Sequence, residues 1–168
     1  MNYTTFFSEG IKTPLLVNAN KQSEKAKNTG TPNQGKINIL YVDDDDISLL
    51  IFKTIFKNRY NIFTCLNTAK AREILAKENI DIIVSDHYMP DETGKDFFRS
   101  IKTSHADKIK ILLTSHASTM GYISNALKSG EIWAHVIKPV EDKELIKTLK
   151  RAEKTIYTQR KQNNSLSL

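Results

Sequence analysis

Residues Ile39–Asp46 read ILYVDDDD, an apolar, β-type stretch that delivers adjacent carboxylates to the point where the chain must leave a sheet. Like charges held side by side and partly shielded from water repel strongly, so such a cluster implies a bound cation, a lysine partner or plain solvation. Three later stretches also close on polar groups. DIIVSDHYMPDETG (Asp81–Gly94) carries an apolar run ending on Asp86, IKILLTS (Ile109–Ser115) ends on hydroxyls, and AHVIKP (Ala134–Pro139) ends on Lys138.

Working outward from these four, apolar periodicity predicts strands over Ile37–Val42, Asn61–Cys65, Ile80–Ser85, Lys108–Thr114 and Ala134–Ile137. Helical patterns fall between them over Asp46–Asn58, Thr68–Asn79, Gly94–Thr103, Thr119–Ser129 and Glu141–Thr158. The first of these is marked by Ile47, Leu50, Ile51 and Ile55 at helical spacing. Asp46, Thr68 and Thr119 are expected as N-caps, and Gly130 as a C-terminal stop. Strands that are mostly apolar and alternate with helices describe an α/β fold, a five-stranded parallel sheet covered on both faces. Right-handed crossovers put every strand's C-terminal end on one edge, where open sheets hold their ligands. The aspartate cluster, Asp86, Thr114 and Lys138 are therefore expected to converge.

The 168 residues and 39% hydrophobic content suit one domain with flanking tails. The formal charge of +6 is uneven: residues 1–36 carry +3, residues 151–168 carry +3, and 37–150 are neutral. A neutral body with basic tails fits poorly with a groove-tracking nucleic-acid domain, and no nucleic-acid partner is expected. Cys65 is alone, so no intrachain disulfide forms, and its reading is a small buried side chain. No apolar run approaches the roughly 20 residues that span a bilayer. No secretory signal is expected either, because no basic residue precedes Lys12, so a cytoplasmic location with no membrane contact is the reading. Residues 1–36 read as a disordered tail, rich in Asn, Lys, Gln, Thr, Gly and Pro from about Asn18. Phe6, Phe7, Ile11 and Leu15–Val17 are its incidental apolar residues or a short docking motif. Residues 37–158 form the domain, and 159–168 read as a flexible tail.

From about Lys36 to Ile156 the chain resembles a response-regulator receiver domain of two-component signalling. The resemblance rests on ILYVDDD, DIIVSDHYMPDETG, ILLTS and VIKPV, in that order at the ends of successive strands. It implies the doubly wound (βα)5, flavodoxin-like strand order 2-1-3-4-5, and phosphorylation on the aspartate before x-x-Met-Pro, here Asp86. It further implies Mg²⁺ held by Asp44, Asp86 and the backbone carbonyl of Tyr88, with Asp43 holding a metal-bound water. Mg²⁺ fits because it takes oxygen ligands and keeps several waters. A solvated loop or helix cap explains Asp45 and Asp46 well.

Lys138 supplies the counter-charge to this pocket and, after transfer, to a phosphoryl oxygen, against its rival reading as a surface lysine. In the family, Pro139 follows a cis bond that turns the lysine inward. Thr114 donates its hydroxyl to the same group, its rival reading being a β-former at a strand end. The family's aromatic switch residue, three positions before the lysine, is replaced by His135, which stands either as a smaller switch or as a partly exposed strand residue. His87 and His116 border the pocket without a fixed metal-ligand spacing, and Tyr88 and His116 are read as controlling water access. Met89-Pro90 and Gly94 read as loop geometry. Trp133 is a surface anchor, a partial core residue or part of an interface.

The resemblance therefore implies a stand-alone receiver, a signalling phosphoacceptor rather than a metabolic enzyme. It would take phosphate from a histidine kinase or histidine phosphotransfer protein and present a changed surface to an unidentified downstream protein, with homodimerisation open. Two rivals remain. One is a constitutive binding module with the same fold. The other is a haloacid-dehalogenase-type phosphatase, whose Asp-x-Asp-x-Thr/Val pattern the Asp43–Ile47 run does not meet.

Overall fold

The chain was analysed as a computed structural model that describes residues 35–115, 120–138 and 142–166. Its elements run β1 (Asn38–Val42), α1 (Asp46–Phe56), β2 (Asn61–Cys65), α2 (Thr68–Lys77), β3 (Ile82–Asp86), α3 (Gly94–Ser100), β4 (Ile109–Thr114), α4 (Met120–Lys128), β5 (Ala134–Ile137) and α5 (Asp142–Leu166). The five strands form one sheet in the order β2-β1-β3-β4-β5, and every neighbouring pair is parallel. This is the doubly wound, flavodoxin-like arrangement anticipated above.

Strand alternation sorts the core into two layers. Ile39, Tyr41, Val84, Ile111, Leu113 and Val136 face α1 and α5, meeting Leu49, Phe52, Phe56, Leu145, Leu149 and Ile156. Leu40, Val42, Ile83 and Leu112 face the other way, toward Ala71, Phe97, Phe98, Ile123 and Ala126 of α2, α3 and α4. Beneath α1, Tyr41 stacks on Phe52 with ring centroids 4.4 Å apart, and Phe52 leads on to Phe56 at 4.7 Å. The four apolar residues that mark α1 in the sequence are thus not its packed side. Ile47, Leu50, Ile51 and Ile55 are all exposed.

The caps fall one residue earlier than expected in two helices. Asp45, not Asp46, caps α1, accepting from the amides of Ile47 and Ser48. Asn67, not Thr68, caps α2 through the Lys70 amide at 2.9 Å. In both cases the residue with extended backbone places its side-chain oxygen within reach of the helix's first free N–H groups. Thr119 lies outside the described residues. Gly130 adopts φ +69°, the left-handed turn that ends α4.

The last helix departs most from expectation. A flexible tail from 159 was anticipated, yet α5 is helical to Leu166. Arg160 explains part of this, because its guanidinium pairs with Asp81 at 2.7 Å and donates to the Gly35 carbonyl, tying the late turns to the base of the sheet. No helix among the described residues is long and apolar enough to cross a membrane.

Candidate functional site

Backbone hydrogen bonds carry the site residues to one edge of the sheet. Asp43 directly follows β1, and its amide donates to the Cys65 carbonyl at 3.2 Å. Asp86 ends β3 in register with Leu113, and Thr114 ends β4 in register with Ile137. Lys138 directly follows β5, its amide held by the Thr114 carbonyl at 2.7 Å.

Two buried carboxylates meet one ammonium there. Lys138 Nζ lies 2.5 Å from Asp86 Oδ1 and 3.2 Å from Asp43 Oδ2, with Asp86 5% and Asp43 2% exposed. Burial works against the charge on Lys138, but the Asp86 hydrogen bond and charge, followed by those of Asp43, outweigh it and raise the lysine's pKa. The remaining carboxylate oxygens are met by backbone. The Tyr88 amide donates to Asp86 Oδ2 at 2.9 Å, and the Asp45 amide to Asp43 Oδ1 at 3.0 Å. Loop geometry after each strand thereby orients both acids.

Sequence reasoning missed a further partner. The Tyr41 hydroxyl donates to Asp43 Oδ2, and burial, together with that hydrogen bond and the Asp43 charge, holds the phenol far above its usual pKa. The signal was present in the two-residue spacing, which puts both side chains on one side of the strand. Gly94 was read only as loop geometry. It is the first residue of α3, and a Cβ built there would lie 2.0 Å from the Asp86 carbonyl oxygen. Only a residue without a side chain lets α3 begin so close to the end of β3.

The other anticipated residues are placed as follows. Thr114 is fully buried and His135 is half-buried on the α4 side of β5, opposite Val136. Tyr88 is 50% exposed at the rim, its ring edge-on to His87. His87 is buried, with Nδ1 unpartnered, and burial pushes its pKa down, favouring the neutral ring. His116 and Pro139 lie outside the described residues. Trp133 is half-buried against the α1–α5 core with Arg151 over its ring.

Asp44 is not drawn into the Lys138 cluster. Its side chain is exposed and lines a cleft of about 100 Å³ together with Met89, Pro90 and Asp91. Among the described residues no three His, Cys, Asp or Glu side chains converge on a metal-sized space. The donor chemistry nevertheless suits Mg²⁺, which binds through one or two carboxylates and otherwise keeps water. Asp43 and Asp86 supply two buried carboxylates against one ammonium, and the Asp44 cleft runs along the loop that follows Asp86.

Comparison with known proteins agrees with this topology. A family model described as the response regulator receiver domain matches residues 39–150. Among curated relatives, the hydrogenase transcriptional regulatory protein HoxA of Bradyrhizobium diazoefficiens is 24% identical over 114 residues, covering 68% of this chain but only 23% of HoxA. The two-component response regulator ORR5 of Oryza sativa is 24% identical over 128 residues, covering 74% of this chain and 95% of ORR5. The signal receiver domain of an HD domain-containing protein from Pseudomonas fluorescens superposes with a TM-score of 0.68 at 24% identity, over 74% of this chain and 99% of that one. At that identity the structural likeness shows the fold alone.

Proposed function

The chain belongs to the response regulator receiver family, and from that premise we propose that it is a cytoplasmic phosphoacceptor switch in which Asp86 takes a phosphoryl group from a histidine kinase or histidine phosphotransfer protein. The observation that carries this reading is the pair of buried carboxylates, Asp43 and Asp86, sharing the single ammonium of Lys138.

In the reaction an Asp86 carboxylate oxygen attacks phosphorus, a P–O bond forms, and the bond from phosphorus to the donor histidine nitrogen breaks. Lys138, now hydrogen-bonded to Asp86, shifts its ammonium onto a phosphoryl oxygen, where negative charge accumulates. Thr114 turns its hydroxyl to another of those oxygens. Tyr41 and the Asp45 amide keep Asp43 aimed into the pocket throughout. When bound, Mg²⁺ would be held by Asp44, Asp86 and the Tyr88 carbonyl, with Asp43 on a bound water, and would neutralise charge on the transferring group.

Phosphorylation adds about −2 charge at the edge where the acids already lie. Movement of Thr114 pulls on its backbone bond to Lys138, and half-buried His135, three residues before that lysine, is the side chain that rearranges on the α4 side. The changed surface is read by a downstream protein or a second copy.

The test is intact-mass measurement after incubation with Mg²⁺ and acetyl phosphate. A phosphate adduct that needs Mg²⁺ and disappears in Asp86→Ala is expected. No adduct, with Mg²⁺ binding demonstrated and dephosphorylation shown to be slow, would instead make the chain a constitutive binding module. Steady turnover of a phosphomonoester without a phosphoprotein would indicate the phosphatase.

A further inference from the structure

Helix α5 carries its charge in a row. Lys143, Lys147, Lys150, Lys154 and Lys161 are all exposed. At about 100° per residue they fall within about 60° of one another, on the side away from the sheet. Leu145, Leu149, Ala152 and Ile156, on the opposite side, are buried in the core. The row runs about 27 Å, at ~1.5 Å per residue. Among the described residues no ion pair involves any of the five. Glu144 and Glu153 stand on its two flanks, and Glu153 is already held by Arg59 at 2.6 Å. The sequence alone assigns the basic excess of residues 151–168 to a tail. The structure puts it on a helix tied down by Arg160, in line with the lysines before it, so the objection to a nucleic-acid partner falls away.

Two hollows, of about 420 and 450 Å³, lie along the row and share Lys150 and Lys154. One also takes in Arg59 and Tyr157, the other Lys143, Ile146 and Lys147. Half-buried Tyr157 sits between Lys154 and Lys161, where the lysine spacing widens. A line of point charges with an aromatic ring set into it matches one phosphate backbone whose bases can stack.

Other occupants fit less well. A second copy joined through the same face by a two-fold axis would set lysine against lysine. A helix seated in the major groove of a duplex meets phosphates along both flanks, and the flanks here carry Glu144 and Glu153. A helix lying on a lipid surface inserts its apolar side, which α5 packs into the core. Carboxylates of an acidic protein are best gripped by the planar fork of arginine. The arginine beside the row, Arg151, lies over the Trp133 ring at 5.3 Å.

We infer that the outer face of α5 binds a single strand of nucleic acid, without regard to sequence, through phosphate contacts to the lysine row and stacking on Tyr157.

The test needs neither phosphorylation nor Mg²⁺, so its failure is separate from failure of the receiver reading. Anisotropy of a fluorescein-labelled oligothymidylate is titrated with the full chain between about 50 and 200 mM salt. Saturable binding is expected, with log K falling against log salt at a slope of about −3.5 for five phosphate contacts. Lys150→Gln/Lys154→Gln, a change confined to exposed side chains, should weaken binding roughly tenfold or more at the lowest salt and make the slope shallower by about 1.4. Tyr157→Leu should weaken it at least about fivefold with the slope unchanged. No saturable binding, or binding untouched by the double lysine variant, would overturn the inference. An affinity unchanged in Tyr157→Leu, or a duplex of the same length bound more tightly, would overturn the single strand. Displacement of the strand by phosphatidylserine vesicles or by polyglutamate at matched charge would overturn it in favour of a lipid surface or an acidic protein, respectively.

Discussion

The two ends of the sheet treat charge differently. At the base, each acid is satisfied separately: Asp81 takes Arg160 at 2.7 Å and the Asn38 amide, and Glu153 takes Arg59 at 2.6 Å and the Tyr60 hydroxyl. Lys110, buried in β4, gives its ammonium to the His105 carbonyl at 2.5 Å. At the opposite edge Asp43 and Asp86 divide one lysine, with Asp44 and Asp45 beside them. At the base every one of these acids has its own cation, and the pairs act as a clamp. The site edge is left under-neutralised, which favours a further cation and makes one more anionic group a strong perturbation.

Substitution of the cations should separate the two ends most sharply. Lys138→Met should slow adduct formation from acetyl phosphate by about 100-fold or more, as loss of a donor to developing charge does. Arg160→Met should leave that rate within about twofold and lower stability by ~0.5–1 kcal/mol in urea denaturation. Equal slowing by both would erase the distinction. A smaller effect is expected from the phenols. Tyr41→Phe keeps the stack on Phe52, removes a donor from Asp43, costs about 1 kcal/mol and tightens Mg²⁺ binding severalfold by calorimetry. Tyr60→Phe, at the base, should leave Mg²⁺ affinity unchanged.

The smallest effect tests an ion pair at the rim of the site edge, where Glu92 lines the same cleft as Asp44. Glu92 has its pKa lowered by the Arg72 hydrogen bond against an opposing effect of burial. Because the folded value lies below the ordinary 4.5, the pair's stabilisation is present above that pH and is lost as pH falls through the folded value. With Arg72 40% and Glu92 25% exposed, a few tenths of a kcal/mol is expected. The urea midpoint of the native chain should fall slightly more between pH 6 and pH 3 than that of Glu92→Gln.

Strand positions were legible because a buried parallel sheet needs apolar runs, and four of the five here run into a polar residue that remains visible in the sequence. The packed side of α1 was not. Ile47, Leu50, Ile51 and Ile55 have helical spacing, but so do Leu49, Phe52 and Phe56, and periodicity does not rank two apolar sides. The aromatics prevail because each buries a larger area against Tyr41 and β1. The convergence of Asp43, Asp86 and Lys138 followed from topology. Tyr41's bond to Asp43 and the contact between Gly94 and the Asp86 carbonyl depend on distances between neighbouring backbones, which residue types alone do not encode.

One feature of the edge bears on how such a protein can diversify. The amides of Asp43, His87 and Lys138 each extend a strand ladder by one more rung, to Cys65, Leu113 and Thr114. Their positions are therefore fixed by main chain, and the side chains hang from a frame they do not build. Replacing Tyr88 or His135 changes what the rim presents to water and partners while the acids and the lysine stay where they are. Variation at the rim can thus change what meets this edge without rebuilding the frame that holds it.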